Sequence, residues 1–295
     1  MPYPPRLIAL SLLAFSCAGH AAVNDIFPTD FVALPNSMTN VTVYGVSHRS
    51  EGPYRNGTLQ MPGEVNLNAF AMRIARQFPV GDEGKYAAGP VAVLSYGDLS
   101  PDRRVTNALG SGATGMGDLR LGGAFWFHID RTNREYGAIA MSVSLPTGGY
   151  DSSKVFNAGE NRLKYVLSAG WMQQLGKRWV MDLSPEVAFY GDNNEYLGNR
   201  RLSQSVSYAL TGYLRYRLTP TLQLMGGGQI NRGGATTLNG AALYGAPNND
   251  RLYAGVLLLT GQHANLQLRY ARDLSVDNGF RSTGDIALRY TLSFD

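Results

Sequence analysis

The chain has 295 residues, with 26 basic and 22 acidic side chains, a formal net charge of +4 and a single cysteine, Cys17. So small a positive excess, with no basic cluster, does not suit nucleic acid, and one cysteine excludes both a disulfide framework and a thiolate metal site. The mean hydropathy of −0.16 and a longest internal apolar run of only 8 residues, Leu252 to Leu259, exclude membrane-spanning helices, which need about 20 apolar residues each.

The first element is an export signal. Arg6 precedes an apolar run of 12 residues from Leu7 to Ala18, too short to span a bilayer, and Gly19 and Ala21 suit a cleavage after Ala21. Residues 1–21 are therefore expected to be removed, and Cys17 with them. Lipid attachment at Cys17 is the weaker alternative, because Ala14-Phe15-Ser16 is a poor approach to a lipidated cysteine. Residues 22–39 are then expected to form a periplasmic N-terminal segment, too short for a plug domain, and residues 40–295 an outer-membrane barrel.

From there the chain alternates with period 2. Ile139, Met141, Val143 and Leu145 share one face and Ala138, Ala140, Ser142 and Ser144 the other. Leu163, Tyr165, Leu167 and Trp171, then Trp179, Met181, Leu183, Val187 and Phe189, then Tyr208, Leu210, Leu214 and Tyr216 repeat the pattern. Such runs match the roughly 9–11 residues of a tilted spanning strand. Twelve strands are expected near 40–48, 65–76, 86–97, 118–128, 136–146, 162–175, 179–190, 205–217, 222–231, 251–260, 265–273 and 284–294. In the first three of these either face could be the apolar one. Short connections (176–178, 219–221, 261–264) alternate with long ones (98–117, 147–161, 191–204, 232–250), as in a barrel with periplasmic turns and external loops. The fold class is all-β, a transmembrane antiparallel up-and-down barrel of twelve strands. Phe125, Phe127, Trp171, Trp179 and Tyr216 then fall near the periplasmic boundary, and Tyr165, Phe189 and Tyr208 near the outer one, as two aromatic girdles. The last strand alternates through Ile286, Leu288, Tyr290, Leu292 and Phe294; it resembles the terminal strand recognised by the barrel-assembly machinery, with the departure that Asp295 follows the aromatic residue.

Five stretches together, DFVALPN at 30–36, SVSLPTGGYD at 142–151, GENRLKYVLSAG at 159–170, YGDNNEY at 190–196 and LRYRLTPTL at 214–222, carry a resemblance. In order along nearly the whole chain, they resemble the outer-membrane family named for the meta-pathway of phenol degradation, whose members are labelled transporters. The resemblance implies a barrel in the outer membrane and a route for aromatic compounds. It implies no catalytic residues.

The inward faces carry Arg120, Lys164, Asp182, Glu186, Arg215, Arg217, Arg269 and Arg289, the candidate lumen lining. Asp182 and Glu186 rise on the strand beside the one on which Arg215 and Arg217 descend, within reach of cross-strand pairing. These charges either select solutes in a pore or neutralise one another in a closed barrel. The loop Gly191 to Glu195 has the oxygen-rich composition of a Ca²⁺ site but not its alternate ligand spacing, so no metal is assigned. No cofactor is assigned either. Lys154, Arg162, Lys164, Arg200 and Arg201 are placed to meet lipopolysaccharide phosphates, which with membrane lipid, the assembly machinery and a small solute are the expected partners. A lipid hydrolase is the third reading: His48 has Ser47 and Ser50 beside it, but no acid is placed by the sequence to orient it. The leading function is a passive channel for small solutes, aromatic by the resemblance, and the main rival is a structural or adhesion barrel with a filled lumen.

Overall fold

A computed structural model describes residues 26–32, 37–81, 85–130 and 134–295. The signal sequence, Cys17 and residues 33–36 of the first family stretch lie outside the described residues. The barrel strands are β1 (Met38–Arg55), β2 (Glu64–Val80), β3 (Tyr86–Pro101), β4 (Arg120–Asp130), β5 (Glu135–Ser144) and β6 (Lys164–Leu175). They continue with β7 (Trp179–Tyr190), β8 (Ser207–Arg217), β9 (Leu222–Gly233), β10 (Asn249–Gly261), β11 (Ala264–Val276) and β12 (Gly279–Phe294). Each pairs antiparallel with its chain neighbours, and β12 returns to β1, from Thr39 opposite Phe294 up to Tyr54 opposite Gly279. Closure is the physical requirement here, because an unpaired strand edge in lipid would leave a row of amides without partners.

The alternation decides which face meets lipid. Ile139 and Met141 are 56% and 61% exposed, while Ala138 between the same strands is buried. Phe70, Ile74, Leu94, Leu167, Leu210, Leu268 and Leu288 continue the outer apolar band. The periplasmic girdle includes Trp179 against Tyr216, with ring centroids 4.8 Å apart, and Phe125 between Tyr86 and Phe127 at 5.6 and 6.2 Å.

All twelve strands fall where the alternation puts them, but several are longer. Strands β1 and β2 run past residues 48 and 76, and β11 and β12 extend across most of the span 274–283 to a two-residue turn at Asp277-Asn278. The added parts of β1, β11 and β12 stand above the apolar band, where Arg49, Glu51, Ser275 and Arg281 give no apolar alternation although the backbone ladder continues, whereas β2 gains Phe78 and Val80 at its periplasmic end. The ambiguity of the first strands also has a cause. The inward face of β2 carries Val65, Leu67 and Ala71, which are buried in one cluster with Val105 and Leu109 of the short helix α1 (Arg103–Leu109) and with Phe156 of the loop before β6. External loops fold into the mouth there, so both faces of β2 are apolar.

Where the sequence suggests a periplasmic segment over 22–39, residues 26–32 stand inside the barrel instead. Phe27 is 1% exposed and Phe31 7%. Pro28 and Thr29, the latter at φ 79°, occupy the two central positions of a tight turn in which the Phe27 amide donates to Asp30 Oδ2 (3.1 Å) and the Asp30 amide to the Phe27 carbonyl (3.3 Å). Too few residues for a domain are still enough for a plug when the lumen is already narrowed by side chains.

Candidate functional site

The lumen is built in tiers by inward side chains of successive strands. Nearest the periplasm, Arg215 of β8 forks onto Asp182 of β7 at 2.7 and 3.0 Å and donates a third bond to Gln223 (3.0 Å). The cross-strand pair expected there thus forms on a diagonal, since Asp182 lies directly opposite Tyr213. Arg217, below it, donates to Gln174 (3.0 Å).

The middle tier grips the N-terminal segment. Asp30 accepts from Arg73 (2.7 Å) and Arg289 (2.5 Å). The Phe27 ring lies 4.2 Å from the Arg269 guanidinium and 5.2 Å from that of Arg289, with Tyr44 beside it at 5.9 Å. Backbone carbonyls are held as well: Tyr213 donates to Ile26 (3.1 Å), Gln267 to Pro28 (3.2 Å) and Trp126 to Asp30 (3.0 Å). Phe31 sits against Gly170 of β6, where a β-carbon would fall 2.0 Å from its ring, so glycine makes the berth.

Toward the outside, Arg251 pairs with Asp273 (2.8 Å) and approaches Asp285 (4.0 Å), whose carboxylate accepts from His48 Nδ1 at 3.2 Å. On the opposite wall, Glu160 holds Arg162 (2.7 Å) and Lys164 (3.7 Å), and both cations lie over Tyr190 at 4.8 and 5.5 Å. Arg162 and Lys164 are therefore buried in the mouth, and the expectation that they meet lipopolysaccharide is corrected. Their side chains turn inward with the β6 alternation, leaving Lys154 and Arg201 as the exposed cations. Arg120 of β4 donates to Ser142 (2.7 Å) and, with Glu186, lines an inner cavity.

Two larger spaces remain. One, of about 1150 Å³ including space open to solvent, lies at the mouth between Glu160, Arg162, Tyr190 and Arg251. The other, of about 880 Å³, lies beside the N-terminal segment between Asp30, Phe31, Arg73, Arg120 and Trp126. Glu186 lines both.

The sequence missed Asp30, Arg73, Arg251, Asp273 and Asp285. Arg73 lies on a strand of ambiguous face, Asp30 lies outside any strand, and Asp273 and Arg251 lie at strand ends. The only available signal for them was charge at an inward parity, and that requires the register. The acid that the sequence does not place beside His48 is Asp285, delivered by β1–β12 closure. The oxygen-rich loop is braced by its own side chains: Asn193, 2% exposed, donates to Tyr150 (2.9 Å) and the Glu160 carbonyl (3.1 Å), and Asp192 accepts from Arg201 (2.6 Å). Among the described residues no group of three or more His, Cys, Asp or Glu side chains could hold a metal ion. In the same external loops Asp118 accepts from the amides of Gly148 and Glu160, both at 2.8 Å, yet burial pushes its carboxyl above the usual carboxylate range.

Residues 48–290 match the family described as "Putative MetA-pathway of phenol degradation". The COG4313 outer membrane channel from Pseudomonas putida F1 is 27% identical, with a TM-score of 0.86 over 92% of this chain and 100% of that one. The transport unit of the autotransporter AIDA-I from Escherichia coli superposes with a TM-score of 0.57 at 9% identity over the whole of both chains, a likeness of fold alone. No curated protein sequence matches the chain. The twelve-stranded closed barrel, its apolar outer band and the family match over most of its length together establish that the chain belongs to this phenol-degradation family and is an outer-membrane β-barrel channel.

Proposed function

We propose that the barrel passes small aromatic solutes passively, performs no chemistry of its own, and is gated at mid-height by residues 26–32, whose intermittent release opens the path. One observation carries this reading: residues 26–32 are held across the lumen by Arg73, Trp126, Tyr213 and Arg289 from four different strands, below a mouth cavity that adjoins the cavity beside the segment at Glu186. The wall charges favour a neutral solute, because Asp182 with Arg215 and Asp273 with Arg251 already neutralise one another, and a charge moved into such a lumen would find few free partners. The aromatic preference is supported by the family's link to phenol degradation. Flux into proteoliposomes of phenol-sized and sugar-sized solutes tests the proposal. The phenol-sized solute should pass faster, and absence of flux for both would refute it. Among the candidate lumen residues, Arg215→Ala and Arg217→Ala should change ion selectivity if that tier lines the path.

The rival reading, a closed structural barrel, is favoured by the same segment, which occupies the middle tier. The two readings part on whether releasing that segment opens a conductance.

A further inference from the structure

A third cavity, of about 490 Å³ including its opening, lies in the outer lumen under the loop that carries Phe156. Its walls are of two kinds. One side is apolar, made by Leu67 and Leu99 with the rings of Phe156 and Phe280. The other side brings together His48, Ser282, Arg251 and Asp273.

The polar side is specific in charge. Arg251 stands between two carboxylates, Asp273 at 2.8 Å and Asp285 at 4.0 Å, and Asp285 also orients the His48 ring. The guanidinium is therefore already balanced, and an anion added to the cavity would meet the Asp273 carboxylate beside it. Ser282 is 2% exposed, and its hydroxyl has no hydrogen-bond partner among the described residues, although its amide donates to Asp273 (2.8 Å). A buried hydroxyl left unpaired costs free energy that a ligand hydroxyl would recover. By contrast, the neighbouring Ser50 hydroxyl is already used by the Val65 carbonyl at 3.2 Å.

We infer that this cavity is a binding site for a neutral phenol, its ring between Phe156, Phe280, Leu67 and Leu99 and its hydroxyl on Ser282 and His48. An apolar slot with a few convergent polar groups at one end is the usual form of such a site. A phenol hydroxyl both donates and accepts, so it can meet an imidazole nitrogen and a serine hydroxyl together. The inference deepens the channel reading and rests on it only for the route by which the solute arrives.

The test compares phenol with toluene, a ligand of the same size, and with benzoate, a larger monoanion, by titration calorimetry on the full chain folded in detergent, with protein-free micelles subtracted. Phenol should bind saturably and about tenfold more tightly than toluene, the contribution of one buried hydrogen bond, and benzoate should bind more weakly than phenol. Ser282→Ala should reduce the preference for phenol over toluene to within about twofold, and Phe156→Ala should weaken phenol and toluene alike. Benzoate binding as tightly as phenol, or an undiminished phenol preference in Ser282→Ala, would overturn the assignment. Flux measured on the same preparations separates the two claims. Flux without saturable phenol binding refutes the site and leaves the channel; saturable, Ser282-dependent binding without flux refutes the channel and leaves the site.

Discussion

Asp30→Asn is the perturbation that most directly probes the closed lumen. The Asp30 carboxylate is 10% exposed and sits between Arg73 (22%) and Arg289 (2%), at 2.7 and 2.5 Å. Replacing it with a neutral amide leaves two guanidinium groups in a confined space with no full counter-charge. Breaking a buried pair in this way typically costs about 3–5 kcal/mol. The barrel itself is closed by backbone ladders that Asp30 does not touch, so the cost falls on docking of the segment. Taking about 3 kcal/mol, the ratio of docked to released segment should fall by roughly a hundredfold. Release would uncover Arg269 and Arg289 to water entering the lumen, and the opened path would conduct. In planar bilayers the substituted protein should show larger or more frequent openings than the parent chain, with unchanged heat-modifiable migration on gels as evidence of an intact barrel. Identical conductance in the two proteins, with the segment equally resistant to protease in both, would show that Asp30 does not hold the lumen shut.

Other expectations follow from the same contacts. Gly170→Val places carbon atoms where the Phe31 ring lies, so it should also raise conductance while leaving the barrel folded, as read by the same two assays. Arg215→Ala strands Asp182 in the lower tier and should destabilise the barrel by about 3 kcal/mol in denaturant titrations, whereas the double substitution with Asp182→Ala should recover a large part of that loss. Asp102 caps α1 by accepting from the Val105 amide (2.8 Å), and that bond holds its carboxyl below the usual carboxylate range. Its folded value lies below its unfolded one, so its contribution is complete above about pH 4 and is lost as pH falls through the folded value. Protection of the amides across residues 103–109, taken relative to the intrinsic exchange rate at each pH, should fall on acidification in the parent chain, and Asp102→Ala should show the lower protection already at neutral pH.

Spanning strands were legible from the residues because lipid imposes a rule that a single strand obeys by itself. Ile139 and Met141 must be apolar whatever their neighbours do, and each strand's outward parity then fixes its inward one, which is how Asp182, Arg215, Arg269 and Arg289 could be placed inside. The lumen could not be read this way, because its contents are set by pairings between distant segments. Arg73 and Arg289 come from the second and last strands, and the acid between them comes from a segment with no periodicity. His48 meets Asp285 only because β12 closes on β1, and Val65 and Leu67 are apolar on an inward face only because α1 and the Phe156 loop fold back to cover them. The sequence by itself determined the barrel, its membrane band and the parity of its charges. Tertiary structure alone decided which charges meet, what fills the lumen and where a solute could rest, because those depend on closure and register rather than on any local preference of the chain.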